Sequence, residues 1–187
     1  MTENIFFDRT QLRRCGANVI IGKTARIRYP ELVEIGDNVI IDDFTYISTA
    51  LVLDHHVHIA AGAKIIGGRS ASVRFGAFST LAPNVVLAAG SDDYLAGIAT
   101  PLIPREYKGD PVIGAITIGR HCIVGAGTVI LPNVTLHEGA AIGALSLVKS
   151  DLDAWTLYAG IPARPLQKRD HSKILALEAE YSGGGCQ

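Results

Sequence analysis

Aliphatic residues recur at every sixth position between residues 116 and 149, and this spacing organises the interpretation of the whole chain. The series is Ile118, Val124, Ile130, Leu136, Ile142 and Val148, and glycine follows half of its members. An amphipathic helix repeats about every 3.6 residues and a half-buried strand about every 2, so neither element explains this period. Such a repeat is typical of short strands and turns that stack as a solenoid, with each aliphatic side chain pointing into a shared core.

The same period extends back to about residue 21, with two interruptions. An insertion is expected at residues 29–31, and a bulged turn at residues 67–71. With three inward positions per coil, the pattern predicts an all-β triangular prism of five to six coils. Residues 1–16 are interpreted as an N-terminal cap on one domain that spans residues 1–169.

The period disappears between residues 90 and 113, where prolines and charges break the pattern. We expect a loop that protrudes from the solenoid, because long irregular loops in compact domains are usually functional or disordered. Asp170 is a candidate N-cap for a helix over residues 170–181, with an apolar stripe that includes Ile174 and Leu177. This helix is expected to cover the open end of the prism, since an exposed last coil invites aggregation. Residues 182–187 are predicted to form a flexible tail.

Composition narrows the class of protein. The 17 lysines and arginines balance 18 aspartates and glutamates, so no basic field argues for nucleic-acid binding. Three cysteines without a framework of spacings argue against structural disulfides. No apolar run reaches the length of a membrane span and the N-terminus has no signal-peptide core. We therefore predict a cytoplasmic protein without stable membrane insertion.

Two segments resemble the hexapeptide-repeat acyltransferases, whose fold is a left-handed parallel β-helix. They are residues 116–152 and the closing segment Tyr-Ala-Gly-Ile-Pro-Ala-Arg at residues 158–164. The resemblance covers about residues 21–169 and is nearest to the galactoside and O-antigen acetyltransferase types. It implies a homotrimer with active sites between subunits and acetyl-CoA as donor, without a metal. The implied acceptor is a hydroxyl or amino group of a sugar or nucleotide-linked sugar, in surface polysaccharide or lipopolysaccharide biosynthesis.

Acetyl transfer needs a group that takes the proton of the acceptor. In galactoside-type relatives this group is a loop histidine that follows a Pro-Asn-Val strand; here the strand is present at residues 83–85, but the loop histidine is missing. His58 is the alternative base, because it precedes inward Ile59 and so points outward. Residues 58–64 also resemble a stretch of nucleotide-sugar N-acetyltransferases in which a histidine lies beside the acetyl group. Packing in a subunit interface explains His58 equally well.

The protruding loop supplies further candidates. Asp92 or Asp93 is a candidate to orient or deprotonate the acceptor, and Ser91, Asp92 and Tyr94 are candidate sugar contacts. The competing interpretation is a solvated turn, because Ser-Asp-Asp is common turn chemistry. The other corner histidines, His55, His56, His121 and His137, are expected to be exposed turn residues. The missing loop histidine slightly favours an amine acceptor, which needs less help than a hydroxyl.

The donor site is predicted at coil corners with small residues, which leave room for the pantetheine arm of CoA. The resemblance implies contacts at Ala126, Gly127 and Ala144. Three cations near the end of the solenoid are candidates for the CoA phosphates, namely Lys149, Arg164 and Lys168. Their alternative role is that of a solvated exit segment.

Two other functions fit the same prism. A γ-carbonic-anhydrase-like metalloenzyme needs three converging imidazoles, and the histidine spacing here does not supply the usual pair. A non-catalytic scaffold would use an outward apolar strip at Ile20, Ile40 and Ile123, which trimer packing also explains. Neither a serine nor a cysteine has the context of a nucleophile, so we expect direct attack in a ternary complex.

Overall fold

The chain forms a left-handed parallel β-helix of triangular coils, in agreement with the repeat. The structure is a computed structural model that describes residues 7–183. The predicted tail at residues 182–187 and the first part of the predicted cap lie largely outside the described residues. We name the three sides of the prism side one, side two and side three in chain order. The first corner joins sides one and two, the second corner joins sides two and three, and the third corner joins sides three and one.

Each side is a ladder of short parallel strands. Side one contains Arg14–Cys15, Val33–Ile35, Ala115–Ile118 and Val134–Leu136. Side two contains Ile20–Ile21, Ile40–Ile41, His58–Ile59, Thr80–Leu81, Ile123–Val124, Ala141–Ile142 and Thr156–Gly160. Side three contains Arg26–Ile27, Val86–Ala88, Val129–Ile130 and Leu147–Val148. Two longer strands, Tyr46–Leu53 and Lys64–Phe75, run from side three into side one.

The strand register stacks the inward residues directly above one another. On side two the column is Ile21, Ile41, Ile59, Leu81, Val124, Ile142 and Tyr158. These side chains are buried, as are those of the equivalent column on side three, Ile27, Ile47, Ile65, Leu87, Ile130 and Val148. The predicted inward positions are therefore confirmed.

The prism is longer than the five to six coils expected. The first strand, Arg14–Cys15, lies inside the predicted cap and pairs with Val33–Ile35. At the other end Leu152 bridges Leu136, and Tyr158 pairs with Ile142. Six complete coils and part of a seventh result. The sequence count missed these ends because Cys15 and Tyr158 replace the aliphatic residue and because Leu152 lies four, not six, positions after Val148.

Glycine occurs at two positions of the corners, and each position has a physical reason for it. The glycine that follows an inward residue allows adjacent coils to approach, since a Cβ on Gly119 would lie 2.8 Å from the Glu138 nitrogen. The left-handed backbone position instead comes three residues after the inward residue, as at Gly62 (φ 73°) and Gly127 (φ 68°). At the first corner this position carries non-glycine residues, namely Asn18, Asn38, His56, Phe78, His121 and Trp155.

The side chains at the left-handed positions of the first corner form a stack that we call the first-corner column. Phe78 stacks on His56 at 4.8 Å and on His121 at 5.4 Å between ring centroids. Gly139 interrupts the column, and the ring of Trp155 fills the space that a side chain there would need. His121 is therefore buried, and the expectation of an exposed corner residue is wrong for it.

The C-terminal helix, His171–Gly183, lies against this column and not over the open end of the prism. Tyr181 Oη lies 2.9 Å from His56 Nε2, and Glu178 Oε2 lies 2.8 Å from His121 Nε2. Asp170 Oδ1 accepts a hydrogen bond from the Lys173 backbone nitrogen, as expected of an N-cap. The first-corner column, which the six-residue pattern did not reveal, positions the helix on the side of the prism.

The remaining elements are short. Gly90–Ser91 and Val112–Ile113 form an antiparallel pair at the root of the protruding loop. Ala163–Lys168 folds back antiparallel to Thr156–Gly160 at the end of side two. Three single 3-10 turns occur at Arg9–Gln11, Pro30–Leu32 and Arg105–Tyr107. Within residues 7–183 no helix is long and apolar enough to cross a bilayer.

Candidate active site

His58 points outward from side two and is paired with a carboxylate. Its Nε2 lies 2.9 Å from Asp42 Oδ2, and the two side chains are 45% and 42% exposed. A carboxylate only accepts hydrogen bonds, so the contact places a proton on Nε2 and, of the two tautomers of the uncharged ring, selects the one protonated there. Nδ1 then keeps a free lone pair that is able to take a proton from an acceptor.

The surroundings of His58 are an apolar strip along side two. In register with it lie Ile40 on one side and Thr80 on the other, and Ile123 follows Thr80. Ile40 is 37% exposed and Ile123 is 43% exposed. The structure therefore places the predicted strip and the candidate base on the same surface.

The small residues predicted to hold the CoA arm are stacked at the second corner. The Leu145 backbone nitrogen donates to Ala126 O at 2.8 Å, and the Gly127 nitrogen donates to Pro83 O at 3.0 Å. Ala126 and Ala144 are exposed. Neither carries a bulky side chain, so the two leave an open shelf, and the exposed side chain of Leu145 lies beside it over Gly127.

The three predicted phosphate-binding cations do not converge. Lys149 lies at the third corner, after Leu147–Val148, whereas Arg164 and Lys168 lie on the strand added to side two. Lys168 Nζ donates to Thr156 Oγ1 at 2.8 Å, so its ammonium group already joins the two strands of the exit segment. Arg164 is exposed beside Ala159 on the same side as the shelf.

Asp93 is the centre of the protruding loop. Its Oδ1 accepts from the Leu95 nitrogen at 2.8 Å and the Ala96 nitrogen at 3.1 Å, and its Oδ2 accepts from the Asp110 nitrogen at 3.1 Å. These bonds, the one from Asp110 foremost, lower the pKa of the carboxyl. A carboxylate held in this way is a poor proton acceptor, and its contacts indicate a structural role.

The other three loop candidates remain accessible. Asp92 and Tyr94 are exposed, Tyr94 at 89%, and Ser91 lies half-buried in the paired root of the loop. The Ser91 hydroxyl donates to the Asp92 carbonyl at 3.2 Å. Asp92 therefore presents the available carboxylate of the pair, which the sequence did not distinguish from Asp93.

The loop and the candidate base lie at different edges of one chain. The loop leaves the prism at the third corner, after Val86–Ala88, whereas His58 and the shelf at Ala126 lie on side two and the second corner. Side three separates them. His58 thus lies on the side that ends at the corner of the predicted donor shelf, two coils before Ala126, and away from the predicted acceptor residues of the same subunit.

Sequence reasoning missed three residues of the site. Asp42 sits sixteen positions before His58 in the preceding coil, and its relation to the histidine depends on strand register. Arg105 and Lys108 lie in the protruding loop and line a groove at its root together with Asp92. Their spacing of three in a 3-10 turn was the available signal.

Other chemistry-bearing side chains have structural roles. Burial raises the pKa of the Cys122 thiol to about 12, so it stays protonated and is not a nucleophile. His55 and His56 lie in van der Waals contact with Phe78 and are half-buried. Among residues 7–183 no group of three or more His, Cys, Asp or Glu side chains is arranged to hold a metal ion.

Comparisons with known proteins place this arrangement among sugar-modifying enzymes. The dTDP-4-amino-4,6-dideoxy-D-glucose acyltransferase of Escherichia coli is 37% identical over 186 residues, which cover 94% of each chain. A point mutant of the N-acyltransferase AntD of Bacillus cereus, solved with dTDP-4-amino-4,6-dideoxyglucose and coenzyme A, superposes with a TM-score of 0.90 at 34% identity, over 98% of this chain and 100% of that one. A putative lipopolysaccharide biosynthesis O-acetyl transferase of Escherichia coli K12, WbbJ, is 25% identical over 130 residues, 70% of this chain and 63% of that protein. No protein-family model matches the chain.

Proposed function

Because the chain belongs to the hexapeptide-repeat acyltransferases that act on sugars with CoA as donor, we propose that it acylates the amino group of a dTDP-linked 4-amino-4,6-dideoxyhexose. The observation that carries this proposal is the match to the Escherichia coli enzyme along 94% of both chains. The superposition with AntD leaves only 2% of this chain uncovered, which is too little to omit residues 90–113. The protruding loop therefore has a counterpart in an enzyme crystallised with such an acceptor.

Acyl-CoA supplies an activated thioester carbonyl, and the chain has to supply position and a proton acceptor. We assign the pantetheine arm to the shelf at Ala126 and Ala144, where small side chains leave room and the exposed Leu145 offers an apolar contact. We assign Arg164, on the same side, to the CoA phosphates. Gly127 holds the left-handed turn that shapes the shelf.

His58 is the proposed base. Its Nδ1 takes the proton that the acceptor nitrogen loses as the amide forms, and Asp42 stabilises the resulting imidazolium through Nε2. The pair resembles the orientation half of a catalytic triad without its nucleophile. Transfer is then a single direct attack on the thioester: the N–C bond forms, the C–S bond breaks, and the CoA thiolate leaves with the proton that His58 took up, consistent with the absence of an activated cysteine at Cys122.

A homotrimer completes the site in this proposal. Within one chain, side three separates His58 from the loop, so the acceptor residues near His58 come from a neighbouring subunit. The exposed apolar strip with Ile40 and Ile123 provides the surface for that packing. Light scattering coupled to gel filtration would test the assembly: a monomer that retains full turnover would overturn it.

The function itself is tested with purified protein, acetyl-CoA and a panel of acceptors. We expect thiol release and an amide product with dTDP-4-amino-4,6-dideoxyglucose, and none with the matched dTDP-6-deoxyglucose that has a hydroxyl at that carbon. Mass spectrometry identifies the product. Acylation of the hydroxyl sugar at an equal rate would contradict the proposal of an amine acceptor.

The cellular setting follows from the acceptor. The similarity to WbbJ supports a role of the product in surface polysaccharide biosynthesis. The cytoplasmic location stays a prediction, as does acetyl as the acyl group. Growing the source cells with labelled acceptor sugar and analysing the polysaccharide for N-acyl groups would test the assignment.

A further inference from the structure

A groove of about 310 Å³ lies at the root of the protruding loop. One wall is the prism, with Ile66 and Gly67, and the other wall is the returning strand with Val112 and Ile113. A Cβ on Gly90 would lie 3.0 Å from Gly67 O, so the loop leaves the prism in close contact with it. The volume lies at the lower end of the range of small-molecule sites, roughly 300–1,000 Å³.

The loop that closes this groove is a built structure. Asp93 bonds the Leu95 nitrogen on its outgoing arm and the Asp110 nitrogen on its returning arm. The Ile98 nitrogen donates to Tyr107 O at 3.0 Å, which joins the arms a second time. Gly109, with φ 64°, brings the returning arm against Asp93. Side chains carried by this loop are therefore held in place relative to the prism.

Two cations from the loop line the groove. Arg105 begins the 3-10 turn Arg105–Tyr107, and the Lys108 nitrogen donates to Arg105 O at 3.0 Å. Residues three apart in a 3-10 turn lie on the same face, so both side chains point to one region. In the part of the chain that the structure describes, neither has an ion-pair or hydrogen-bond partner for its side chain.

Asp92 lines the same groove and has the opposite charge. Its carboxylate likewise has no hydrogen-bond partner among residues 7–183, whereas that of Asp93 is saturated. One carboxylate and two cations within a single groove match a ligand that carries an amine and a diphosphate. A ligand with phosphates alone would meet repulsion from Asp92.

We propose that Arg105 and Lys108 bind the diphosphate of the nucleotide-linked acceptor, while Asp92 contacts its amino group. This assignment rests on the proposed function, and it gives the loop a selective role: the enzyme accepts a nucleotide sugar and discriminates against the free amino sugar. Arg105 offers a planar fork and Lys108 a point charge, a pairing suited to two adjacent phosphates. CoA also contains a diphosphate, so the test separates the two sources.

The direct test measures binding without turnover. Calorimetric titration with dTDP and with thymidine isolates the contribution of the diphosphate in wild type, Arg105→Gln, Lys108→Gln and the double variant. We expect the preference for dTDP over thymidine to fall about tenfold in each single variant. The control is Lys173→Gln, which removes an exposed cation on the C-terminal helix and should leave the preference unchanged. An unchanged preference in the double variant overturns the assignment.

Steady-state kinetics show whether the two cations bind the diphosphate of the nucleotide-sugar acceptor or that of the CoA donor. For the double variant of Arg105 and Lys108 we expect a higher KM for the nucleotide sugar at an unchanged KM for acyl-CoA. The acceptor KM should also depend less on salt. A rise confined to the KM for acyl-CoA would overturn the assignment in favour of the donor. Asp92→Asn should weaken the binding of the amino sugar nucleotide but not of dTDP; weaker dTDP binding would contradict the role given to Asp92.

The proposed reaction and the proposed diphosphate groove can be refuted independently of each other. If the wild type binds dTDP through Arg105 and Lys108 but acylates no amino sugar, the groove stands and the proposed reaction is wrong. If the wild type acylates the amino sugar and the double variant does so with unchanged KM, the reaction stands and the groove is wrong.

Discussion

Removing the imidazole of His58 should abolish most of the turnover while leaving the fold intact. A positioned general base contributes roughly 10²–10⁴ to a rate, so His58→Ala is expected to lower kcat at least about 100-fold. His58 lies on the surface of side two, outside the buried column that contains Ile59, so its loss creates no cavity. The KM for acyl-CoA and the melting temperature should stay close to those of the wild type.

The structure also predicts the size of the Asp42 effect. The His58–Asp42 contact is 2.9 Å long, but both side chains are nearly half exposed, so solvent screens the interaction. Such a pair is worth up to about 1 kcal/mol, which corresponds to a factor of about 5 in rate. Asp42→Asn should therefore lower kcat by less than tenfold, and the two substitutions together should cost no more than His58→Ala alone.

The assay is continuous detection of CoA release with dTDP-4-amino-4,6-dideoxyglucose, at saturating acyl-CoA. His137→Ala serves as the matched control, because His137 is an exposed histidine at the first corner with no assigned role. Added imidazole should restore part of the His58→Ala activity. A kcat within about twofold of the wild type for His58→Ala would refute the role of His58 and move the proton acceptor elsewhere, for example to the substrate itself.

Three further substitutions test the loop and the first-corner column. Asp93→Ala removes three hydrogen bonds, so residues 90–113 should become sensitive to limited proteolysis and the KM for the acceptor should rise, with the melting temperature nearly unchanged. Phe78→Asn keeps a residue that tolerates φ 58° but removes the ring stacked on two imidazoles, and denaturant unfolding should show a loss of about 1–3 kcal/mol. Burial, followed by the neighbouring His55, lowers the pKa of His56 below its usual 6.5, so the unfolded chain takes up this proton first and stability is lost as pH falls below about 6.5. Thermal melts between pH 7.5 and 5.5 should show a shallower decline for His56→Asn than for the wild type, and equal slopes would contradict this origin of the pH dependence.

The repeat made the fold predictable because its signal is redundant. Each coil repeats the same inward position, so an interruption such as the insertion at residues 29–31 does not destroy the pattern. The structure confirms the inward residues from Ile21 to Val148 and the position of the protruding loop. The end coils were missed because Cys15 and Tyr158 depart from the aliphatic residue that defines the period, and because the spacing from Val148 to Leu152 is four residues.

The site was less predictable, because its residues meet through register and not through spacing. His58 and Asp42 are in different coils, and their contact follows from the pairing of Ile40 with His58. The difference between Asp92 and Asp93 depends on which carboxylate meets the backbone nitrogens of the loop. The donor shelf at Ala126 and Ala144 stays a prediction, which the small residues at equivalent positions of two coils suggest.

The predicted position of the C-terminal helix was wrong because its contacts, too, depend on how the coils stack. An apolar stripe predicted a lid over the end of the prism, whereas the helix meets the prism through Glu178 and Tyr181, which contact two histidines of the first corner. Taken singly, each of these histidines has the sequence context of an exposed turn residue. Only the stacking of coils makes them a continuous surface.

The missing side chain at Gly139 means that neighbouring coils in this prism are not interchangeable building blocks. The coil that ends in Trp155 requires a bare backbone beneath its indole, so duplicating, deleting or transplanting that coil alone would drive the ring into an ordinary side chain. Chimaeras with related enzymes should therefore take residues 139 and 155 from the same parent.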